Sequence, residues 1–433
     1  LLDMQMEWTE QSILDEIPLG GGKTNSDLQT IIDGMSEGEV HLYIDQANAV
    51  VTYPMAKSEK RGLERSETEA IVIGPQLAFT ESLTSNLNVL SWRLNTTDLA
   101  IEKIMVGKRN PKETRILYLK SVANQTDIDT MRQRLSEIEL DMIEDIHMLK
   151  QYILDNSLSV FPQFVATELV DRAMYVIKEG KIVVLIEDSP YALIAPSTFF
   201  SFFESTEDRY FHWNLSTFII MLRFLAAFIT IINTPFYVAA VTFHYELVPS
   251  RLLLSLGESR ATVPFPPILE VIILEMLIEL LREAGARLPT KVGQTIGIVG
   301  GVVVGTAAVQ AGIASNILII LVTLSALASF VTPSYVMGNT LSFIRFPLII
   351  LSGLYGLIGI MFGLSLLTIH LLRLKSLGRP YLAPVYPFRW ADFNKVFFRL
   401  PEQKQGNRFL SNQPKDQKLY DKKAASTKKD IDS

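Results

Sequence analysis

The 433-residue sequence contains no cysteine, and this absence limits the chemistry that the protein can perform. Disulfide bonds, thiolate metal sites and cysteine nucleophiles are all excluded. Histidine is scarce too, because only five histidines are present and they lie far apart in sequence. Their spacing is not that of a metal site, so neither a metal nor a cofactor is predicted.

A complete nucleotide-binding motif is also missing. Gly22-Lys23-Thr24 resembles the end of a phosphate-binding loop, but Ile17 stands where that loop requires its first glycine. A flexible glycine linker is the simpler interpretation of this stretch. With no cysteine nucleophile, metal spacing or phosphate loop, the sequence predicts that the protein is not an enzyme.

The formal net charge is −6, but the charges are unevenly distributed. Most acidic residues precede residue 215, whereas residues 373–433 contain fourteen lysines and arginines against six aspartates and glutamates. A basic segment that follows apolar helices is typical of a cytoplasmic flank. Residues 376–433 are therefore predicted to form a basic cytosolic tail, disordered beyond Pro401, and nucleic acid is not an expected partner.

The first half of the chain has the pattern of a soluble α/β region made of two tandem subdomains. Residues 1–26 form a polar, flexible lead-in that lacks the basic and apolar runs of a signal peptide. Residues 27–150 form the first subdomain and residues 151–212 the second. Helical spacing of apolar residues predicts helices over 127–140 and 164–180. Alternating apolar residues predict a hairpin of two strands over 39–45 and 49–54, and two more strands are predicted over 99–107 and 114–122. Two apolar stretches on either side of Asp188-Ser189-Pro190 predict a hairpin over 181–196.

Residues 213–375 are apolar enough to form an α-helical transmembrane domain. A helix needs about 20 apolar residues to cross a bilayer. The predicted spans are 215–243, 292–313, 316–336 and 345–372. Near the start of the first span, Arg223 is expected to reach the lipid interface. Farther along the same span, Asn233-Thr234-Pro235 is expected to kink the helix.

A further apolar segment, 266–284, carries four glutamates that an ordinary membrane helix would not contain. At about 100° per residue, Glu275, Glu279 and Glu283 share one face, roughly 140°, 180° and 220° from Glu270. Because a charged side chain is costly in lipid, the sequence predicts an amphipathic or re-entrant helix. Its acid face then either contacts water at the interface or borders a channel mouth, where it would concentrate cations.

Small residues dominate the second predicted span. Four glycines recur at every fourth position: Gly293, Gly297, Gly301 and Gly305. This spacing lets membrane helices approach closely, so helix packing is its simplest role and a narrow pore lining is the alternative. Thr306 and Gln310 share one helical face and are the polar pore candidates, with Val309 as a hydrophobic constriction.

The segment 266–333 resembles a known family. It contains LREAG at 281–285 and GIVGG at 297–301, and it is similar to the A subunits of the spore germination receptors, the GerA family. Two upstream stretches agree: GPQLAFTESLTSNLNVL at 74–90 and SPYALIAPSTFFSFFESTEDRY at 189–210. The likeness covers residues 30–390. Departures from the family pattern occur at Gln76-Leu77-Ala78, near Arg93 and at Arg209, and they weaken inferences about shared side-chain contacts.

The resemblance implies a function that the residues alone do not reach. A subunits of this family lie in the inner membrane of the dormant spore and assemble with a membrane B subunit and a lipoprotein C subunit. The resemblance also implies a homo-oligomer, a pentamer, that acts as a nutrient-gated channel for monovalent cations. Membrane lipid is a further expected partner. Two soluble α/β subdomains are implied as well, in agreement with the pattern above.

The sequence leaves the membrane topology open. Four spans with an interfacial glutamate helix would place the N-terminal region and the basic tail together in the cytoplasm. Arg282, Arg287 and Lys291 would then lie outside, against the usual charge bias. A glutamate helix that crosses the membrane corrects this bias but separates the termini. A secondary transporter and a non-conducting signalling scaffold stay open as alternatives to a channel.

Overall fold

The computed structural model describes residues 23–36, 39–43, 50–54, 69, 71–287, 305–401 and 405–420. Its contacts divide the chain into two compact units. The described residues of the first, the α/β unit, lie within 1–154, 164–197 and 402–433. The second, the helical unit, comprises 155–163 and 198–401. The predicted class, a soluble α/β region followed by a helical part, is confirmed.

Two antiparallel sheets form the frame of the α/β unit. The smaller has the strand order β1-β3-β2, with β1 (Lys23–Asn25), β2 (Glu39–Tyr43) and β3 (Val50–Pro54). The larger has the order β4-β5-β7-β8-β6, with β4 (Leu99–Val106), β5 (Lys112–Leu119), β6 (Val165–Thr167), β7 (Ile182–Ile186) and β8 (Ala192–Ala195). The helices of this unit are α1 (Leu28–Ser36), α2 (Leu83–Leu94), α3 (Gln125–Ser136), α4 (Ile146–Tyr152) and α5 (Val170–Lys178).

The five-stranded sheet joins the two predicted subdomains. β5 pairs with β7, which places Ile116 opposite Val184 and Leu117 opposite Val183. All four side chains are fully buried and form the centre of the core. The structure thus differs from a division near residue 150, because strands from both stretches complete one sheet. Strand pairing over this distance has no local signature in the sequence.

Residues 405–420, which we call the strap, pack onto the α/β unit. Arg408 Nε donates to the carbonyl oxygen of Lys178 at 2.8 Å, and Phe409 N donates to Glu179 Oε2 at 2.9 Å. Farther along, Lys415 N donates to the carbonyl oxygen of Val122 at 2.8 Å. The predicted disorder beyond Pro401 is therefore wrong for the strap, because hydrogen bonds from its side chains and its backbone hold it on the α/β unit.

The helical unit consists largely of long apolar helices. They are α6 (Trp213–Thr242), α7 (Ser250–Arg260), α8 (Pro267–Arg287), α9 (Asn316–Phe330), α10 (Tyr335–Arg373) and α11 (Trp390–Phe397), and residues 305–310 are also helical. Of the described residues, α6 and α10 are long and apolar enough to cross a membrane. Their shared core with α8 and α9 contains fully buried aliphatic side chains: Val238, Val271, Leu318 and Ile349.

The helix α10 is a hairpin rather than one straight segment. Gly356 has φ 60° and ψ −139°, a conformation that only glycine adopts readily. Beyond it the chain folds back, so that Gly363 lies against the side chains of Leu348 and Leu351. In a straight helix, residues 348 and 363 would be about 22 Å apart. The predicted fourth span, 345–372, therefore corresponds to parts of two antiparallel helical halves.

Candidate functional site in the helical unit

The helices of this unit run between two ends, which we define by α6. The near end is where α6 begins at Trp213, and the far end is where it finishes at Thr242. The turn of the α10 hairpin lies at the far end, because a Cβ atom on Gly356 would stand 2.9 Å from His244 Nε2. The two outer ends of α10 therefore lie at the near end.

One loop contacts both outer ends of the hairpin. Thr340 Oγ1 donates to the carbonyl oxygen of Val160 at 3.3 Å. His370 Nε2 lies 2.9 Å from Ser159 Oγ. In a straight helix, residues 340 and 370 would be about 45 Å apart. The chain thus returns to the end of the unit from which α10 started.

The glutamate helix α8 runs the whole way from the far end to the near end. Near its start, Ile268 packs against Gly353, which lies just before the hairpin turn. Near its finish, Arg282 Nη1 donates to Ser342 Oγ at 2.9 Å, two residues beyond Thr340. The sequence predicted an amphipathic or re-entrant helix here. In the structure this helix ends at Arg287, and its buried glutamates have partners inside the unit.

The helix α9 runs in the same direction as α8. Just before it begins, Ser315 N donates to Glu270 Oε1 at 2.6 Å, at the far end. Near its finish, Ser329 Oγ accepts a 2.6 Å hydrogen bond from Arg282 Nη2, at the near end. Gly312, which lies against the carbonyl oxygen of Thr262, is also at the far end.

Each glutamate of α8 lies beside an arginine of the same subunit. The pairs are Glu270–Arg260 at 3.4 Å, Glu275–Arg345 at 2.6 Å, Glu279–Arg282 at 3.2 Å and Glu283–Arg287. Burial falls along this series, since the Glu270 and Glu275 side chains are fully buried whereas Glu283 is exposed. The acid face predicted from the sequence is thus electrically neutralised, pair by pair, within one chain.

The pair of Glu275 and Arg345 is the most enclosed of the four. Both side chains have 0% exposure, and they join α8 to the first half of α10. A buried charge is strongly unfavourable unless an opposite charge lies beside it, so each side chain requires the other. Arg345 is not among the site residues predicted from the sequence. The signal was an isolated arginine inside a long apolar run, which needs a partner in the protein interior.

The predicted kink in α6 contains a second polar contact between helices. Asn233 Nδ2 donates to the carbonyl oxygen of Leu321 at 2.9 Å and to Ser325 Oγ at 3.0 Å. Pro235 lies inside α6 and cannot donate a backbone hydrogen bond. These contacts fix α6 against α9 at the point where the backbone of α6 is weakened.

The pore candidates lie partly outside the described residues. Gly293, Gly297 and Gly301 all fall within 288–304. Gly305 has open space around its Cβ position, and Thr306 and Gln310 are exposed in the single subunit. Val309 is half-buried, while Ala308 packs into the core of the unit. The predicted shared face of Thr306 and Gln310 therefore points away from the subunit's own core.

Two further patterns concern catalysis and metal binding. Gly34, Ser36 and Gly38 match the spacing of a hydrolase nucleophile elbow, which sets its serine between a strand and the following helix. Ser36 instead ends a helix, α1. Over the described ranges, His, Asp and Glu side chains do not gather in threes as a metal site requires.

Comparisons with known proteins agree with the resemblance seen in the sequence. The family described as "Bacillus/Clostridium GerA spore germination protein" matches residues 2–410. Spore germination protein GerQA of Bacillus cereus is 43% identical over 393 residues, covering 90% of this chain and 79% of that protein. Spore germination protein GerIA of the same organism is 41% identical, and the chain spans 59% of its length.

One further relative and one solved structure come from other Bacillus species. Spore germination protein A1 of Bacillus subtilis (strain 168) is 36% identical over 385 residues, with 89% of this chain and 78% of that protein covered. The crystal structure of the N-terminal domain of the Bacillus megaterium germinant receptor A subunit GerK3 covers 44% of this chain and 66% of its own. Its identity is 23% and its TM-score 0.32, too low to support an argument about shared geometry. Given the match over nearly its whole length, the chain belongs to the GerA family of spore germination proteins.

Proposed function

We propose that this chain is the A subunit of a nutrient receptor in the inner membrane of the spore. In this proposal, copies of the chain form a pentamer with partner subunits of the B and C types. A bound nutrient opens a path for monovalent cations through the pentamer. The observation that carries the proposal is family membership combined with a helical unit that exposes the polar face of Thr306 and Gln310.

We propose further that the helical unit crosses the membrane an even number of times. Helices α6, α8 and α9 and both halves of α10 give five crossings between the near and far ends, and the chain makes the sixth between Arg287 at the near end and Gly312 at the far end. The chain enters and leaves the unit at the near end, where Arg282 and Arg287 also lie. Because positive charge favours the cytoplasmic side, we assign the near end to the cytoplasm. This arrangement removes the conflict over these arginines that four spans created.

The pore in this proposal includes the helix that carries residues 305–310. Thr306 and Gln310 are exposed on the surface of their own subunit, so around a symmetry axis the same face of each copy would meet at the centre. Val309 lies on the adjoining part of the helix and supplies an apolar constriction. Glu279 and Glu283, at the near end, lie toward a cytoplasmic channel mouth, whereas buried Glu275 has a structural role.

A current recording tests the channel. The complete receptor is reconstituted in planar bilayers, and candidate nutrients are added to the wild type and to a Thr306→Ala/Val309→Ala/Gln310→Ala variant. Nutrient-dependent single-channel steps, with altered conductance in the variant, are expected. Ser365→Ala/Thr368→Ala is the matched control, because these exposed polar residues lie on the second half of α10. Silence of a verified, assembled wild-type receptor with an active nutrient would reject the channel.

The absence of cysteine makes the topology directly testable. Tyr355→Cys places a single thiol beside the hairpin turn, and Trp92→Cys places one in the α/β unit. In sealed, oriented vesicles, a membrane-impermeant maleimide should reach the two thiols from opposite sides. Labelling of both from the same side would contradict the hairpin crossing.

A secondary transporter receives less support from this geometry. Transporter sites are typical of helices that unwind near the middle of the membrane. The break at Gly356 instead reverses the chain at the far end, next to His244. A channel therefore explains the described helices with fewer assumptions.

A further inference from the structure

The segment that follows α10 is strongly basic. Residues 373–400 contain six basic side chains: Arg373, Lys375, Arg379, Arg389, Lys395 and Arg399. The single acidic residue in this stretch, Asp392, is fully buried. The accessible surface of the segment therefore carries a clear excess of positive charge.

The same segment exposes large apolar side chains. Between residues 385 and 400 the exposed ones are Val385, Tyr386, Phe388, Trp390, Phe398 and Leu400. Trp390 is 64% exposed and Phe388 60%. Contiguous exposed apolar surface marks an interaction site, because water contact with it is unfavourable. Tryptophan and tyrosine together with basic residues are typical of the membrane–water interface.

The helix α11 is anchored by Asp392 and Val396, which are buried and lie about 200° and 240° around the helix from Trp390. Trp390 belongs to a row of packed rings: it stacks on Phe393 at 5.9 Å, Phe393 lies 4.5 Å from Phe397, and Phe397 packs against Phe224 of α6 at 4.9 Å between ring centroids. The exposed rings of Phe388 and Trp390 are therefore presented on a fixed support rather than on a loose tail.

The position of α11 relates it to the membrane. Arg399 N donates to Thr217 Oγ1 at 3.1 Å, so the segment runs beside the first turns of α6. Those turns also expose apolar side chains, Trp213 and Phe218 among them. The exposed surface of residues 385–400 therefore continues directly into the lipid-facing side of a helix that is long and apolar enough to span the bilayer.

We propose that residues 385–400 form a lipid-binding surface in the headgroup layer at the near end of the unit. The rings of Phe388 and Trp390 insert at the level of the lipid carbonyls, and the basic side chains contact anionic headgroups. Charge sign, ring chemistry and continuity with α6 favour lipid over a protein partner. This inference rests on the proposed membrane insertion and replaces the prediction of a plain cytosolic tail for these residues.

Spin labelling of the full cysteine-free chain tests the surface. Trp390→Cys is labelled in vesicles of phosphatidylcholine with phosphatidylglycerol, and its collision rates with oxygen and with a water-soluble nickel chelate are compared. Oxygen partitions into lipid and the chelate into water. The oxygen-to-chelate ratio at Trp390→Cys should be several-fold higher than at Trp92→Cys, an equally exposed tryptophan position in the α/β unit.

A third label separates this proposal from the membrane proposal itself. Phe228→Cys, on the exposed side of α6, should report lipid in either case. A lipid signal at Phe228→Cys with a water signal at Trp390→Cys would overturn the lipid-binding surface alone. A water signal at both would reject membrane insertion of α6 as well. Shielding of Trp390→Cys from both reagents would identify a protein interface and would equally overturn the proposal.

A change of lipid composition tests whether the surface requires anionic headgroups. In vesicles of phosphatidylcholine alone, the label at Trp390→Cys should become several-fold more accessible to the chelate, because the electrostatic attraction is lost. The label at Phe228→Cys should be unaffected by the change of lipid. An unchanged signal at Trp390→Cys would remove anionic lipid from the proposal.

Discussion

Arg223 and Asp208 form a buried ion pair where α6 begins, with Nη1 and Oδ2 2.5 Å apart. Arg223 Nη1 also donates to the carbonyl oxygen of Phe203 at 3.2 Å. The sequence predicted that this arginine reaches the lipid interface. Instead it binds a carboxylate of the EDRY segment, and this pair ties α6 to the loop that precedes it.

Asp208→Asn should destabilise the helical unit. The substitution leaves Arg223 buried without its counter-charge, which costs about 3–5 kcal/mol. We expect a lower thermal midpoint of the full chain in detergent, measured by differential scanning fluorimetry. Glu246→Gln is the control, because its carboxylate is largely exposed. Equal midpoints for Asp208→Asn and the wild type would show that the pair is dispensable.

Replacing one partner of the Glu275–Arg345 pair should destabilise the protein more than replacing both. Glu275→Gln leaves a buried guanidinium uncompensated, at a cost of about 3–5 kcal/mol, whereas Glu275→Leu with Arg345→Met should restore much of the stability. Thermal midpoints and the yield of folded protein report both variants. Glu283→Gln, at an exposed pair, should change little. If the double variant is no more stable than Glu275→Gln, the two charges have a role beyond mutual neutralisation.

Gly356→Ala should disturb the hairpin turn. A Cβ atom there would lie 3.1 Å from Phe243 Cβ and 2.9 Å from His244 Nε2, and the backbone has a positive φ. We expect a loss of about 1–3 kcal/mol in stability. Gly285→Ala is the matched control, since its Cβ would meet nothing within 4 Å. Equal thermal midpoints for Gly356→Ala and Gly285→Ala would contradict the claim that the turn requires a glycine.

Arg408→Ala should release the strap from the α/β unit. The guanidinium donates to the carbonyl oxygen of Lys178 and pairs with Asp416 at 2.6 Å, and the loss of these contacts costs about 2 kcal/mol. Amide hydrogen exchange of residues 405–420 should then accelerate, while exchange in β7 stays slow. Gln417→Ala serves as the control because that side chain is exposed. Unchanged exchange in the strap would mean that Arg408 does not hold it.

The α/β unit should lose stability in acid, because the stabilising contribution of Glu102 is lost when its carboxylate is protonated. Two hydrogen bonds from Arg132, each 2.8 Å long, lower the pKa of Glu102 below its usual range. Its contribution is therefore fully present above the unfolded-state pKa of about 4.3 and is lost as pH falls through the lower folded-state pKa. Glu102→Gln should reduce stability at pH 7 by about 1 kcal/mol and weaken this acid dependence.

The control for that measurement is Glu139→Gln, which removes an exposed carboxylate paired with Lys108. The thermal midpoint of Glu139→Gln should equal that of the wild type at every pH from neutral to acidic. The midpoint of Glu102→Gln should lie below that of the wild type at neutral pH, and the two should converge only at low pH. A constant difference between those two at every pH would argue against the titration of Glu102.

The local part of this fold follows from the sequence, and the long-range part does not. Short apolar stretches bounded by turn residues place β4, β5, β7 and β8 correctly, because each strand carries its own local pattern. The pairing of Ile116 with Val184 joins strands far apart in sequence and leaves no trace in either. Hydropathy cannot separate the two halves of α10 either, since a glycine in an apolar run is also typical of helix packing.

In the candidate site, too, local features follow from the sequence and long-range contacts do not. The shared face of Glu275, Glu279 and Glu283 follows from helix geometry, but their neutralisation depends on which helices become neighbours. Arg345 is far from Glu275 in sequence, and only the packing of α8 against α10 brings the two charges together. The order of the strap could not be predicted for a related reason, because its polar side chains, Arg408 among them, bind groups that lie far away in sequence.

The strap also has a consequence for biosynthesis. The ribosome makes the strands of the α/β unit first, then the helical unit, and only afterwards residues 405–420. Until then, the strap's hydrogen bonds to the carbonyl oxygen of Lys178 and the carboxylate of Glu179 cannot form. A chain that stalls within the helical unit therefore carries an unfinished α/β unit, which proteases can distinguish from a completed product.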